Sequence, residues 1–206
     1  MRFLLICLLV LSSAGSLAGS TGYRDIIPTF WARLYPDGGE DLYCGQRFER
    51  YQRWVNIEHV YPMAWVTRAL GCGTRQQCRQ RSPRFNAIEA DMHNLYPAIR
   101  KWNDARGAMA YGEIPGEDWV APHCDLEIDE AARRVEPRAA VRGDIARAML
   151  YMEVQHGLTI YKRQRALLLD WHHADPPDDH ERWRNDRIEQ LQGNRNPYID
   201  NPQDLH

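Results

Sequence analysis

Apolar residues fall along the chain in runs of distinct period. The first, Phe3 to Leu11, is unbroken and too short to span a bilayer as a mature helix. Between Tyr23 and Leu34, the residues Ile26, Ile27, Phe30, Trp31 and Leu34 recur at helical spacing, with Pro28 in the early turns. Pro36-Asp37-Gly38-Gly39 predicts a turn. Cys44 to Tyr61 reads as short and strand-like, and Gly71 to Pro83 as a polar loop rich in arginine. Ala87 to Ile99 joins a short helical piece to a strand over Asn94 to Ile99, and a short helix from Arg100 to Arg106 follows. Cys124 to Ile128 alternates apolar and charged residues, as a half-buried strand does.

Beyond that point the period turns helical. Ala139 to His156 carries Ile145, Ala148, Met149 and Met152 on one stripe and stops at Gly157. Arg163 to His172 is a second late helix, and Asp179 to Leu191 a third, stopped by Gly193. The pattern predicts an α+β domain with one core, largely helical.

Composition narrows this picture. A chain of 206 residues suits one domain. A mean hydropathy of −0.62 excludes a polytopic membrane protein. With 26 basic against 28 acidic residues the net charge is −2, so any nucleic-acid binding must come from cations gathered on one face. Arg2, the apolar run and Ser16-Leu17-Ala18 resemble a secretory signal, which predicts cleavage after Ala18 and a functional domain over 19–206. The expected location is periplasmic or secreted, with no membrane attachment after cleavage. Cys7 leaves with the signal, and Cys44, Cys72, Cys78 and Cys124 remain. An even number in an exported chain argues for two disulfides. Three pairings are open, of which Cys72 with Cys78 and Cys44 with Cys124 is preferred. These cysteines read as staples. His93 and His123 are available for zinc, but the spacing is not that of a zinc site.

The candidate chemistry sits at Glu58-His59, between apolar Ile57 and Val60. Asn103 follows across a loop and a second strand, in a short helix. A neutral imidazole can take a proton from water, since its ordinary pKa is about 6.5. A carboxylate and an amide oxygen are hard donors that suit Mg²⁺ or Ca²⁺. Together they point to metal-assisted phosphodiester hydrolysis.

Asn56-Ile57-Glu58-His59-Val60-Tyr61-Pro62, Glu89-Ala90-Asp91-Met92-His93-Asn94-Leu95-Tyr96-Pro97-Ala98, Asn103-Asp104-Ala105-Arg106 and Gln192-Gly193-Asn194-Arg195-Asn196-Pro197-Tyr198 resemble the endonuclease I family, in its order and near its spacing. The resemblance runs from about Cys44 to Asp200. It implies a ββα-metal (His-Me) finger embedded in the helical domain, and an exported nuclease. Such an enzyme cleaves DNA, and RNA as well, with little sequence preference, leaving 5′-phosphates. By position it makes His59 the general base and Glu58 and Asn103 the holders of one Mg²⁺, with Ca²⁺ or Mn²⁺ as substitutes. Arg75 falls near the scissile phosphate, and Glu89 is a carboxylate that orients other groups. Two positions depart from the family: Gln46 stands where a cysteine is frequent, and Asp104 where a glycine follows the metal-binding asparagine.

Arg75, Arg79, Arg81 and Arg84, with Arg100, Lys101 and Arg106, are expected to line one nucleic-acid groove through phosphate contacts. Arg163 and Arg165 read as an exposed helix face, Arg195 as part of a structural salt bridge, and His172, His173 and His180 as ordinary surface. A monomer is expected. Two rival readings stand beside the nuclease: a nucleic-acid-binding protein of the same fold without catalysis, and a disulfide-stapled extracellular interaction domain.

Overall fold

The computed structural model describes residues 22–203. The expected signal segment, its expected cleavage site and Cys7 lie outside the described residues. The chain opens with α1 (Tyr23–Thr29), which runs on into a π-helical turn, Phe30–Leu34. Two short strands, β1 (Gly39–Glu40) and β2 (Arg47–Phe48), pair antiparallel. The segment from Cys44 to Tyr61 is therefore not one extended stretch: only Arg47–Phe48 and β3 (Val55–His59) are strand, with a polar turn between them.

Three helices follow β3. The first, α2 (Met63–Leu70), turns Met63 and Val66 inward and ends on Gly71 in the left-handed region. The arginine-rich stretch expected as loop instead contains α3 (Arg75–Arg81). Its start is sealed twice. The Thr74 hydroxyl accepts from the Gln77 amide while the Gln77 side chain accepts from the Thr74 amide, a reciprocal cap. The Cys72–Cys78 disulfide then closes the turn around it. Ser82 caps α4 (Pro83–Glu89).

After a 3₁₀ turn, Met92–Asn94, β4 (Leu95–Ile99) returns antiparallel to β3 and runs without a break into α5 (Arg100–Arg106). The register sets Glu58 opposite Tyr96 and His59 opposite Leu95. Leu95 belongs to an apolar cluster with Phe30, Leu34, Phe48, Val55 and Ile188. Tyr96 and Ala98 belong to a second cluster built around the later helices. The interior is thus two clusters rather than the single core expected, with the β3–β4 ribbon between them. Burial on both faces explains why Leu-Tyr-Pro-Ala-Ile is a continuous apolar run with no alternation.

The second cluster also covers β5 (Ala110–Tyr111), β6 (Leu126–Asp129) and β7 (Arg134–Pro137), ordered β5-β7-β6. The Cys44–Cys124 disulfide ties the chain just before β6 to the segment leading into β2. Through this cluster passes α6 (Arg142–His156), buried at every position from Ile145 to Met152. Gly143 is required at its start, because a Cβ there would sit 2.0 Å from the Asp175 carbonyl oxygen. Its one buried cation, Arg147, is matched by two hydrogen bonds to Glu181, of 2.6 and 2.5 Å. The remaining helices are α7 (Lys162–Ala174), α8 (Asp179–Gln192) and α9 (Pro197–Asp200). No described helix is long and apolar enough to cross a membrane. The architecture is α+β, a two-stranded ribbon and helix set into a mostly helical body.

Candidate active site

A cleft of about 700 Å³ opens where β3, α1, α3 and α5 meet. Side chains alternate along a strand, so Glu58 and His59 leave β3 in opposite directions, yet both border this cleft.

Glu58 is only 2% exposed. Its Oε1 accepts from the Tyr43 hydroxyl at 2.6 Å and from Arg106 Nη1 at 2.8 Å. Burial pushes this carboxyl above its ordinary range, against the pull of Arg106, Tyr43 and the His59 amide. Both the tyrosine and the arginine bind the same oxygen, and Oε2 carries neither. Arg106 was expected on the groove, but its side chain is 1% exposed and cannot meet a phosphate. It donates to Glu58 and to the His59 and Val60 carbonyls, with its guanidinium 4.6 Å from the Tyr111 ring centroid. A guanidinium this deep is costly without partners; both Nη atoms find them in Glu58 and the carbonyls around His59, while Nε has no hydrogen-bond partner among the described residues.

Asn103 lies one turn into α5, facing β3. Its Nδ2 donates to Asn56 Oδ1 at 2.9 Å and to the Ile57 carbonyl at 3.2 Å. A carbonyl can only accept, so the amide nitrogen must face β3. That leaves Oδ1 as the end free to bind a ligand. Glu58 and Asn103 both border the cleft, and the carboxylate and amide oxygens are hard donors of the kind that suits Mg²⁺ or Ca²⁺. Asp104 is exposed and also borders the cleft.

His59 is buried, 7% exposed, and its Nε2 lies 3.0 Å from the Glu89 backbone carbonyl. Because that partner only accepts, Nε2 carries the proton and Nδ1 keeps the lone pair. Burial, with the nearby Arg75 cation, lowers the imidazole to a pKa of about 3, so the ring is neutral at neutral pH. The Tyr23 ring covers it at a centroid distance of 4.9 Å.

The opposite wall is built on Glu89, 1% exposed at the end of α4. Its Oε1 accepts from Arg75 Nε at 2.5 Å and from Arg79 Nη2 at 2.8 Å, and its Oε2 from Arg79 Nε at 2.7 Å. Burial raises this carboxyl, but the two arginines outweigh it and hold it below the ordinary range. Both guanidinium groups also sit 5.7 Å from the Tyr23 ring centroid. Their side chains stay 43% and 29% exposed, so each still presents charge to the cleft.

The other expected groove cations separate. Arg100 borders the cleft and donates to the Arg53 carbonyl. Lys101 lies over the Trp102 ring at 4.1 Å. Arg81 is exposed on the far side of α3, and Arg84 reaches the His156 carbonyl at 2.8 Å, so neither joins the cleft rim. Arg195 is held by Asp186, Glu189 and Asp200. His172, expected at the surface, is 2% exposed and bonded to the Pro202 carbonyl. Tyr23, Tyr43 and Tyr111 touch the site groups but were not singled out in the sequence. Only Tyr23 carried a signal there, as the first residue of an amphipathic helix, and that signal predicts core rather than cleft.

Known proteins are similar to this chain in sequence. The sequence model described as Endonuclease I matches residues 27–203. An extracellular deoxyribonuclease of Aeromonas hydrophila is 40% identical over 160 residues, 76% of this chain and 69% of that protein. A periplasmic deoxyribonuclease of the same species is 41% identical over 172 residues, covering 82% and 72% of the two chains. An extracellular ribonuclease of Bacillus subtilis is 37% identical over 131 residues, 55% of this chain and 44% of its own.

Proposed function

The chain belongs to the endonuclease I family, and we propose that it is an exported endonuclease that hydrolyses DNA and RNA with little sequence preference, leaving 5′-phosphates. The observation that carries this reading is a neutral imidazole with its lone pair on Nδ1, in the same cleft as two oxygen donors and a pair of anchored arginines. The substrates are those named for the relatives, deoxyribonucleases and a ribonuclease. The relatives' extracellular and periplasmic locations, and the expected signal, support export.

His59 Nδ1 takes the proton from a water placed in line with the scissile P–O3′ bond, while Nε2–H stays pinned on the Glu89 carbonyl. A divalent ion held by Glu58 and Asn103, Mg²⁺ first among candidates, would supply Lewis-acid stabilisation of charge on the phosphate and the departing oxygen. Arg75 faces the phosphate and neutralises the charge that remains on the 5′-product. Tyr23 shields the imidazole from bulk water on its open side. Arg79 and Arg100 extend the cationic rim along the backbone, so affinity falls with salt.

The test is cleavage of supercoiled DNA and of RNA by the mature protein in Mg²⁺ and in EDTA, with binding read alongside. Mg²⁺-dependent nicking is expected, and His59→Ala should lose about 10²–10⁴ in rate with binding retained. Binding without cleavage by the wild type would leave a nucleic-acid-binding protein, and near wild-type cleavage by His59→Ala would remove the assigned base.

A further inference from the structure

We propose that Glu117, Asp125 and Glu127 hold a second divalent cation, Ca²⁺, at a structural site separate from the cleft. Glu117 comes from the loop between β5 and β6, Asp125 directly precedes β6, and Glu127 lies within it. Asp125 and Glu127 are two apart in near-extended chain, so they share a face. One carboxylate oxygen from each of the three lies within 4.8 Å of the others. That spread matches ligands around one ion at Ca–O distances of about 2.4 Å.

Three ionised acids held this close repel one another unless a counter-charge joins them. Among the described residues, none of the three takes part in an ion pair. Arg142 is already committed to Glu136. Glu136, which faces Glu127 across the β6–β7 ladder, accepts from Arg142 through Oε1 and from the Ile114 amide through Oε2. The second observation is Glu127 itself. It is 4% exposed, and its Oε2 is buried with no hydrogen-bond partner among the described residues. Buried carboxylates are paired or coordinate metal. This one is unpaired and sits in the cluster.

The ligand chemistry selects the ion. The three donors are oxygens, which suit Ca²⁺, Mg²⁺ or Mn²⁺ rather than zinc or copper. The ligands are carboxylates, one on a loop and two at the start of β6, able to bind in one- or two-oxygen fashion, with carbonyls and water to complete the shell. That tolerance fits the larger Ca²⁺ better than the strict octahedron of Mg²⁺. Bound there, the ion clamps the loop to the sheet edge beside the Cys44–Cys124 disulfide.

The test uses the mature chain stripped by chelator and carrying Asn103→Ala, so that the cleft does not contribute. Calorimetry should show one saturable Ca²⁺ site, and Tm should rise with Ca²⁺. Adding Glu127→Gln should abolish both effects. In EDTA the same substitution should leave Tm equal or higher, because it removes the repulsion without removing a partner. Asp125→Asn, at a partly exposed position, should show the same loss of binding if Glu127→Gln does not fold. Trp119 donates from Nε1 to Glu117 Oε2 at 2.9 Å, which places its indole beside the site. Tb³⁺ should therefore emit when Trp119 is excited, and Trp119→Phe should lower the emission while Ca²⁺ uptake persists. No uptake by Asn103→Ala at millimolar Ca²⁺, or unchanged uptake by Asp125→Asn, overturns the proposal.

Discussion

The two walls of the cleft each bury a glutamate against arginine, and they divide its oxygens differently. On the β3–α5 wall, Arg106 and Tyr43 both bind Glu58 Oε1, and the arginine is sealed in the interior. On the α3–α4 wall, Arg75 and Arg79 occupy both oxygens of Glu89 and remain partly exposed themselves. The first arrangement spends its cation on holding a carboxylate ready for something else. The second spends its carboxylate on holding cations ready. Identical residue chemistry thus leaves one carboxylate oxygen without an arginine on one side and builds a cationic clamp on the other. Burial of the arginine, more than that of the glutamate, decides which.

The largest effect should follow from breaking the sealed pair. Arg106→Ala leaves Glu58 buried and uncompensated, and should destabilise the fold by about 3–5 kcal/mol. Urea denaturation measures it. Adding Glu58→Gln should recover part of the loss, since no charge is then stranded, and a double variant no more stable than Arg106→Ala alone would contradict the pairing. Next comes Glu58→Gln alone, expected to lower cleavage by about 10²–10³-fold and to raise the Mg²⁺ needed. An unchanged Mg²⁺ titration would take Glu58 out of the donor set.

On the other wall, Glu89→Gln should free both arginines while leaving the main-chain bond to His59. A loss of up to about 10²-fold is expected from misplacement of the clamp, with Mg²⁺ dependence untouched. A shifted Mg²⁺ requirement would mean that the two walls are not independent.

The smallest effect is in pH. The Glu89 carboxyl lies below its unfolded value of about 4.3. The native state therefore binds this proton less readily, and the stability from the clamp is complete above that value. It is lost as pH falls through the lower native one. The stability gap between wild type and Glu89→Gln should be flat above about pH 5 and shrink on further acidification. A gap that grows toward acid would refute the ion pair.

Much of this was legible in the sequence where structure is local. The ribbon and α5 announce themselves because apolar residues flank Glu58-His59 closely and because β4 passes directly into helix. The helix α3 was hidden because only Cys78 of its seven residues is buried, so there is no apolar stripe to read. Thr74 and Gln77 at capping-box spacing were the available sign. Arg106 was misplaced for a different reason. It sits in a run of charge near Arg100 and Lys101, and nothing local says that its partners are a glutamate and two carbonyls from β3 and the turn after it. The carboxylate site beside β6 is likewise unreadable, since Glu117 joins Asp125 and Glu127 only once the loop has folded back.

The acceptor that sets the imidazole of His59 belongs to the main chain at Glu89. Every amino acid placed there offers the same carbonyl oxygen. The tautomer is therefore insulated from sequence drift at that position, while the arginine clamp rests on the side chain alone. A substitution at position 89 thus alters the hold on Arg75 and Arg79 while keeping the main-chain bond that fixes which nitrogen of the imidazole carries the proton.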